Sequence, residues 1–222
     1  MKEDYKVELG RKLVHFTSIL IILIYVVIGQ YSHRLALLTL TLILVLLIEM
    51  EYIRLEAGGK TRLIRFISRF KREKEKEQLG GDVFFMIGAI LCLAIFDFRI
   101  AVAAILMTTF GDMTAALVGR RFGKHKLNKS QKSWEGTIAG LIVNLIIGML
   151  FLRATVGGAL WFLQNQLPAG NVLWPVLIVM ALTASVTEVL INKLDDNLLV
   201  PLFSGFNGQI VLIILNISII PI

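Results

Sequence analysis

Apolar residues in this chain come in long, nearly unbroken runs, not in the alternating or one-sided patterns of a soluble domain. The runs cover roughly residues 13–29, 35–51, 83–97, 100–118, 137–153, 172–191 and 198–220. Most are long enough to cross a hydrocarbon core of about 30 Å as a helix. The third is short, and the last is interrupted. Pro201 and the cluster Gly205, Asn207 and Gly208 predict an irregular entry that becomes regular helix only near Gln209. Irregular backbone survives at membrane depth where it is buried in protein or lines a wet cavity. The pattern therefore predicts an all-α, polytopic transmembrane protein of about seven spans, organised as one membrane-embedded domain over residues 1–222. Between the second and third runs, Leu63, Ile64, Phe66, Ile67 and Phe70 are interleaved with Lys60, Arg62, Arg65, Arg69 and Lys71. That alternation suits an amphipathic helix over 60–78 lying in the cytoplasmic interface.

Composition agrees. Of 222 residues, 56% are hydrophobic and 18% charged, which is too apolar for an ordinary soluble domain of this length. The lone cysteine, Cys92, lies within an apolar run, so no intramolecular disulfide is expected. No cleavable leader is expected either, because the N-terminal charges are of mixed sign and no small-residue cleavage site follows the first run. The net charge of +7 would suggest a nucleic-acid partner in a soluble protein. Here its distribution argues against one. Twenty of the 23 Lys and Arg residues fall before the first span, in 51–82, in 119–136, or at Lys193. Only Arg34, Arg99 and Arg153 fall on the other side. The bias predicts a cytoplasmic N-terminus and three cytoplasmic basic loops, with the C-terminus outside.

Polar residues gather at the predicted cytoplasmic ends of the spans. Glu8, Arg11, Lys12 and His15 share one helix face by their spacing. Arg and Lys there can bind phosphate or simply snorkel to the interface. Asp112 lies inside the tail of an apolar run, where a carboxylate is costly and by default functional. Ala115, Ala116 and Gly119 follow on its face, small enough for a helix or ligand to approach closely. A carboxylate so placed can hold Mg²⁺, or another hard divalent cation, together with phosphate oxygens. Arg120, Arg121 and Lys124 are placed for those phosphates, with Gly119 and Gly123 freeing the backbone. Lys132 can neutralise phosphate charge. Glu135 opens the next helix, where a carboxylate also suits the helix N-terminus. Glu188 lies inside the sixth span. Asp195 comes seven residues later and shares its face if the helix persists. Together with Asp196, these acids form a second group of metal ligands or proton acceptors, unless the aspartates serve as helix caps. No Walker-type or protein-kinase glycine loop is present.

Glu8–Arg11–Lys12–His15, the stretch from Gly111-Asp112 through Lys124, Lys132-Ser133-Trp134-Glu135-Gly136, and Glu188 with Asp195-Asp196-Asn197 and Pro201 together resemble the CTP-dependent lipid kinases. That group includes dolichol kinase, phytol kinase and the yeast-type CTP-dependent diacylglycerol kinase. The resemblance runs from residue 8 to about 205. The Asp112-to-Gly136 block is also similar to phosphatidate cytidylyltransferases. Their C-terminal His-Gly-Gly with Asp-Arg and a further Asp is absent here, and the Glu188–Asn197 block stands in its place. The resemblance implies transfer of the γ-phosphoryl group of CTP to a membrane lipid alcohol, first of all dolichol or another polyprenol. Diacylglycerol, phytol or geranylgeraniol are the alternatives. It implies metal ligation by Asp112, Glu188, Asp195 and Asp196, with catalysis there. Arg11, Lys12, Gly119, Arg120, Gly123, Lys124, Lys132, Glu135 and Asn197 would bind the nucleotide, with Glu8 and His15 in support. The site would lie at the cytoplasmic face, of the cell membrane in a prokaryote or of the endoplasmic reticulum in a eukaryote. An ion-coupled transporter is a rival of another class. However, the acids cluster at one face and no inverted repeat is visible.

The charge bias makes a direct prediction. In a Cys92→Ser background, Lys124→Cys should react with a membrane-impermeant maleimide only after the membrane is permeabilised, whereas Arg34→Cys should react without it. Equal labelling at both positions would refute the orientation.

Overall fold

The computed structural model describes residues 17–57, 78–127, 132–152, 173–191 and 195–215. Within them the chain is helical, the one extended pairing being an isolated bridge between Lys126 and Ser133. The helices are α1 (Thr17–Gly29), α2 (His33–Ala57), α3 (Gly81–Ile95), α4 (Phe98–Leu106), α5 (Asp112–Phe122), α6 (Trp134–Phe151), α7 (Trp174–Leu190) and α8 (Asp196–Ile214). A π-helical turn, Met107–Gly111, joins α4 to α5 into one continuous rod. Among the described residues, four helices are long and apolar enough to cross a membrane: His33–Glu56, Phe98–Phe122, Trp134–Phe151 and Asp196–Ile214. Helices α1, α3 and α7 are shorter and also apolar. Each expected run thus has its helix among the described residues. The expected interfacial helix over 60–78 falls almost wholly outside them.

The chain forms two compact units, Met1–Ile90 and Leu91–Ile222. In the first, α1 and α2 make a helical hairpin. Tyr31 N–H closes the turn on the Ile28 carbonyl at 3.0 Å, and Tyr25 Oη meets His33 Nδ1 at 2.5 Å. Helix α2 runs past the expected end at residue 51. Glu51 and Arg54, one turn apart, form a buried ion pair at 2.9 Å there. Arg54 also donates to the Gln78 carbonyl at 2.8 Å, and Gly80 N–H donates to Glu51 at 2.9 Å. The pair satisfies the hydrogen-bonding groups that burial would otherwise leave costly.

The second unit is built around α4, whose residues Arg99 to Leu106 are all buried. Arg99, counted above as a loop charge, is therefore an interior residue of the first turn of α4. Helices α5 and α6 then pack antiparallel with unusually little between them. A Cβ at Gly136 would lie 2.4 Å from the Ala115 carbonyl oxygen and 3.0 Å from the Gly119 Cα. A Cβ at Gly140 would lie 3.1 Å from both the Ala115 Cβ and the Gly111 carbonyl oxygen. Small residues four apart on both helices bring the backbones together, the packing mode of helices that meet in lipid. Further along, Gly148 of α6 meets Leu177 of α7, and Asn207 of α8 donates to Thr183 of α7 at 3.1 Å.

Two expectations are corrected here. Helix α8 is continuous from Asp196 to Ile214 and does not begin irregularly. Ser204 donates its hydroxyl to the Pro201 carbonyl at 3.3 Å. Gly205 and Gly208 are contact points, where a Cβ would come within 2.6 Å of the Phe96 ring and 2.5 Å of Met180. They are packing glycines inside a helix, not breaks in it. The rod containing Asp112 also extends to Phe122 instead of ending near residue 118. Arg120 and Arg121 favour its C-terminal turn through the helix dipole, and it stops at Gly123.

Gly136→Ala should lower the unfolding temperature in detergent, with a cost of about 1–3 kcal/mol from overpacking. Gly29→Ala is the control. A Cβ there would sit 3.9 Å from Tyr25, an ordinary contact, and the change should stay within about 0.5 kcal/mol.

Candidate functional site

Four helices of the second unit converge on a small cleft. It is lined by Met107, Thr108 and Asp112 of the α4–α5 rod, Asn144 of α6, Ala184 and Glu188 of α7, and Asp196, Asn197 and Val200 of α8. It holds about 10 Å³, room for one water or a bare ion, so it suits an ion and a reacting group better than a nucleotide.

Local geometry explains how the acids arrive there. The π-turn lies immediately before Asp112, and such turns are frequent at functional sites. Within it, Thr108 and Thr109 return their hydroxyls to the Ala104 and Ile105 carbonyls, each at 2.9 Å. Glu188 stands in the last turn of α7, which ends at Leu190. Asp196 opens α8. Helix therefore does not persist from Glu188 to Asp195, and a shared face does not unite them. Two separate helix ends do, and they bring Asp196 to the cleft. Asp195 is the N-cap of α8, its Oδ1 accepting from Asn197 N–H at 3.0 Å, and it is not one of the lining residues.

Among the described residues, no three His, Cys, Asp or Glu side chains form a ready-made metal cluster. The expected set Asp112, Glu188, Asp195 and Asp196 is thus not a preformed cage: Asp195 caps α8, and Asp112, Glu188 and Asp196 line one cleft without closing on a common point. Asp112, Glu188, Asp196 and the amide oxygen of Asn144 are nonetheless hard oxygen donors. Mg²⁺ requires only one or two carboxylates besides water and phosphate oxygens. The donor chemistry fits such a cation.

The basic residues are arranged beside the cleft, not in it. Arg120, Arg121 and Lys124 are exposed at the far end of α5, with Arg121 lying 5.4 Å from the Phe122 ring centre. Eight residues of helix set Asp112 and Arg120 about 12 Å apart along the axis. Gly119 is packed against Ser133 and Gly136, and Gly123 lies against Ser133 and the Gly119 carbonyl. After α5, residues 125–127 and 132–134 pair antiparallel, with Leu127 N–H donating to the Lys132 carbonyl at 2.9 Å and Trp134 N–H to the His125 carbonyl at 3.0 Å. Ser133 caps α6, accepting from Gly136 N–H at 3.2 Å. Glu135 accepts from His125, at 2.8 Å from the ring Nδ1 and 3.2 Å from the backbone N–H. Lys132 donates to the Glu188 carbonyl, so its charge stands at the C-terminus of α7, where the helix dipole favours a cation. Lys132 is thereby placed beside the backbone of Glu188. Glu8, Arg11, Lys12 and His15 lie outside the described residues.

Sequence reasoning passed over Thr108, Asn144, Ser185 and His125. The rule that singled out Asp112, a polar group inside an apolar run, would have found Asn144. The other three carry no comparable signal.

The fold and site define a helical, membrane-type protein with carboxylates from a mid-rod position and two helix ends lining one cleft. Comparison with known proteins narrows this. The chain is 31% identical over 144 residues to CTP-dependent diacylglycerol kinase 1 of Schizosaccharomyces pombe, covering 64% of each chain. It is 28% identical over 209 residues to phytol kinase 1, chloroplastic, of Arabidopsis thaliana, covering 88% of this chain and 64% of the relative. It is 28% identical over 217 residues to probable phytol kinase 2, chloroplastic, of Oryza sativa, covering 93% and 67%. These relatives are diacylglycerol and phytol kinases, and the chain is similar to them at moderate identity over much of its length. It spans about two thirds or less of the length of the first of these relatives. No family model and no solved structure matches it.

The capping role of Asp195 is testable. Asp195→Ala should cost about 0.5–2 kcal/mol in thermal or denaturant unfolding, whereas Asp195→Asn and Asp195→Ser, equally good caps, should cost little. Equal loss in all three would point to a role other than capping.

Proposed function

We propose that this protein is a CTP-dependent lipid kinase. It transfers the γ-phosphoryl group of CTP to the hydroxyl of a membrane lipid alcohol and releases CDP. The observation that carries the reading is the convergence of Asp112, Glu188 and Asp196 from three helices on one cleft, with Lys132 bonded at its edge. The relatives named above support both the donor and the lipid acceptor.

Phosphoryl transfer asks mainly for positioning and for stabilisation of charge. The acceptor hydroxyl oxygen attacks the γ-phosphorus, the bond from γ-phosphorus to the β-bridging oxygen breaks, and the hydroxyl proton passes to a cleft carboxylate. Asp112, Glu188 and Asp196 are the candidates for that base and for holding Mg²⁺. A bound Mg²⁺ would neutralise phosphate charge and orient the reacting end of the nucleotide. Lys132, Arg120 and Lys124 take the remaining phosphate charge, joined by Arg11 and Lys12. The lipid enters laterally with its tail left in the bilayer, and the site faces the cytoplasm, where CTP is made. The names of the relatives favour diacylglycerol or phytol as acceptor over dolichol or another polyprenol, the acceptor put first from sequence.

Incubating the purified protein with labelled CTP or ATP and a panel of lipid alcohols tests the reading. CDP and a lipid monophosphate are the expected products, whereas pyrophosphate and a CDP-lipid would identify a cytidylyltransferase instead. Asp112→Asn should lower turnover by at least about 100-fold while leaving a folded, inserted protein. Substantial residual kinase activity would sink the assignment.

A further inference from the structure

Asn144 is the polar exception on α6. It sits midway along a helix otherwise made of apolar and small residues in that stretch, and it is 1% exposed. Polar side chains in membrane helices are commonly found at helix contacts or at functional sites. The two ends of its amide are treated differently. Nδ2 donates to Ser185 Oγ of α7 at 3.1 Å, which anchors the group. Oδ1 is enclosed and accepts no hydrogen bond among the described residues. A buried acceptor without a partner is rare and calls for a cause.

The surroundings supply one. A Cβ at Gly111 would come 2.3 Å from Oδ1, so the backbone next to Asp112 has room for this oxygen only because residue 111 is glycine. Gly111 closes the π-turn, and Asp112 follows it directly. Asn144 also lines the same cleft as Asp112, Glu188 and Asp196. A neutral oxygen enclosed beside acids is poorly explained as packing, since leucine would fill the helix contact without burying an acceptor. It is well explained as a donor to a cation. Hard divalent ions accept amide oxygens alongside carboxylates. A neutral ligand also adds coordination without adding to the repulsion among like charges.

We infer that Asn144 Oδ1 is a ligand for a hard divalent cation in this cleft, the neutral member of a set otherwise made of carboxylates. The inference deepens the lipid-kinase reading and rests on it for the purpose of the ion. Its test needs neither CTP nor lipid.

Mn²⁺ is the probe. Its binding to the full-length protein in detergent is followed by the loss of the free Mn²⁺ electron paramagnetic resonance signal and by the Mn²⁺-dependent rise in unfolding temperature. Asn144→Leu should weaken Mn²⁺ by about tenfold or more while the variant still unfolds cooperatively in EDTA, at a temperature lowered only by the loss of the Ser185 bond. Asn144→Asp should hold Mn²⁺ at least as tightly as the wild type. Unchanged Mn²⁺ affinity in Asn144→Leu, or wild-type uptake no greater than that of Asp112→Asn, would overturn the inference. If Asn144→Leu does not fold, Asn144→Asp decides: weaker Mn²⁺ binding refutes the ligand, and retained or tighter binding supports it. The two readings fail separately. Loss of Mn²⁺ in Asn144→Leu without any turnover of CTP would sink the kinase and keep the ligand. Normal turnover with unchanged Mn²⁺ affinity would sink the ligand alone.

Discussion

The close approach of α5 to α6 is the constraint on which the site depends. At Gly136 there is no room for a single added carbon before the Ala115 carbonyl, so the helices meet backbone to backbone. That contact fixes three things at once. It sets the height of Asp112 on its rod, it brings Asn144 against Gly111, and it holds Ser133 and Lys132 at the start of α6. The hydrophobic effect gives little help in lipid, where both sides of a helix are equally apolar. Association there rests on dense packing and a few polar contacts. The bond from Asn144 to Ser185 extends the same logic to α7.

Given that frame, the acids occupy three different kinds of position. Asp112 follows a π-turn in mid-rod, Glu188 lies in a final helical turn, and Asp196 lies in a first one. The last is favourable on electrostatic grounds, because a helix N-terminus attracts negative charge. Glu188 has the opposite local field, since it stands at a C-terminus. Lys132, bonded to the Glu188 carbonyl, supplies a compensating positive charge at that end. Asp195 and Asp196 are adjacent in sequence and similar in chemistry, yet only the first caps the helix and only the second reaches the cleft.

Much of this was legible in sequence because bilayer thickness imposes a coarse ruler. Apolar runs of the right length had to be helices, and all seven expected runs contain one. Asp112, Glu188, Asp196 and Asn197 were legible as polar groups in apolar or terminal settings. What sequence could not supply was the state of the chain between helices. The persistence of helix from Glu188 to Asp195 was a matter of periodicity, and the break after Leu190 changed which aspartate faces inward. Pro201 and the glycines beside it read locally as disruption. Tertiary neighbours decide otherwise, because Phe96 and Met180 occupy the space their missing side chains leave. The π-turn has no sequence signal at all, being one extra residue accommodated in an otherwise ordinary helix.

The separation of acid from base along α5 bears on how a nucleotide would be used. About 12 Å of helix lies between Asp112 and Arg120, and the cleft is smaller than pockets that enclose a whole drug-sized ligand. On the kinase reading, the base and ribose therefore stay outside, against the end of α5 with Arg121 and the residues Lys124 and His125 that follow it. Only the terminal phosphate reaches the carboxylates. On the same reading the lipid hydroxyl approaches those carboxylates from the bilayer. Donor and acceptor would then meet at the one place where helix ends bring fixed charge to the edge of the bilayer, which is the geometry that a reaction between a soluble triphosphate and a membrane alcohol requires.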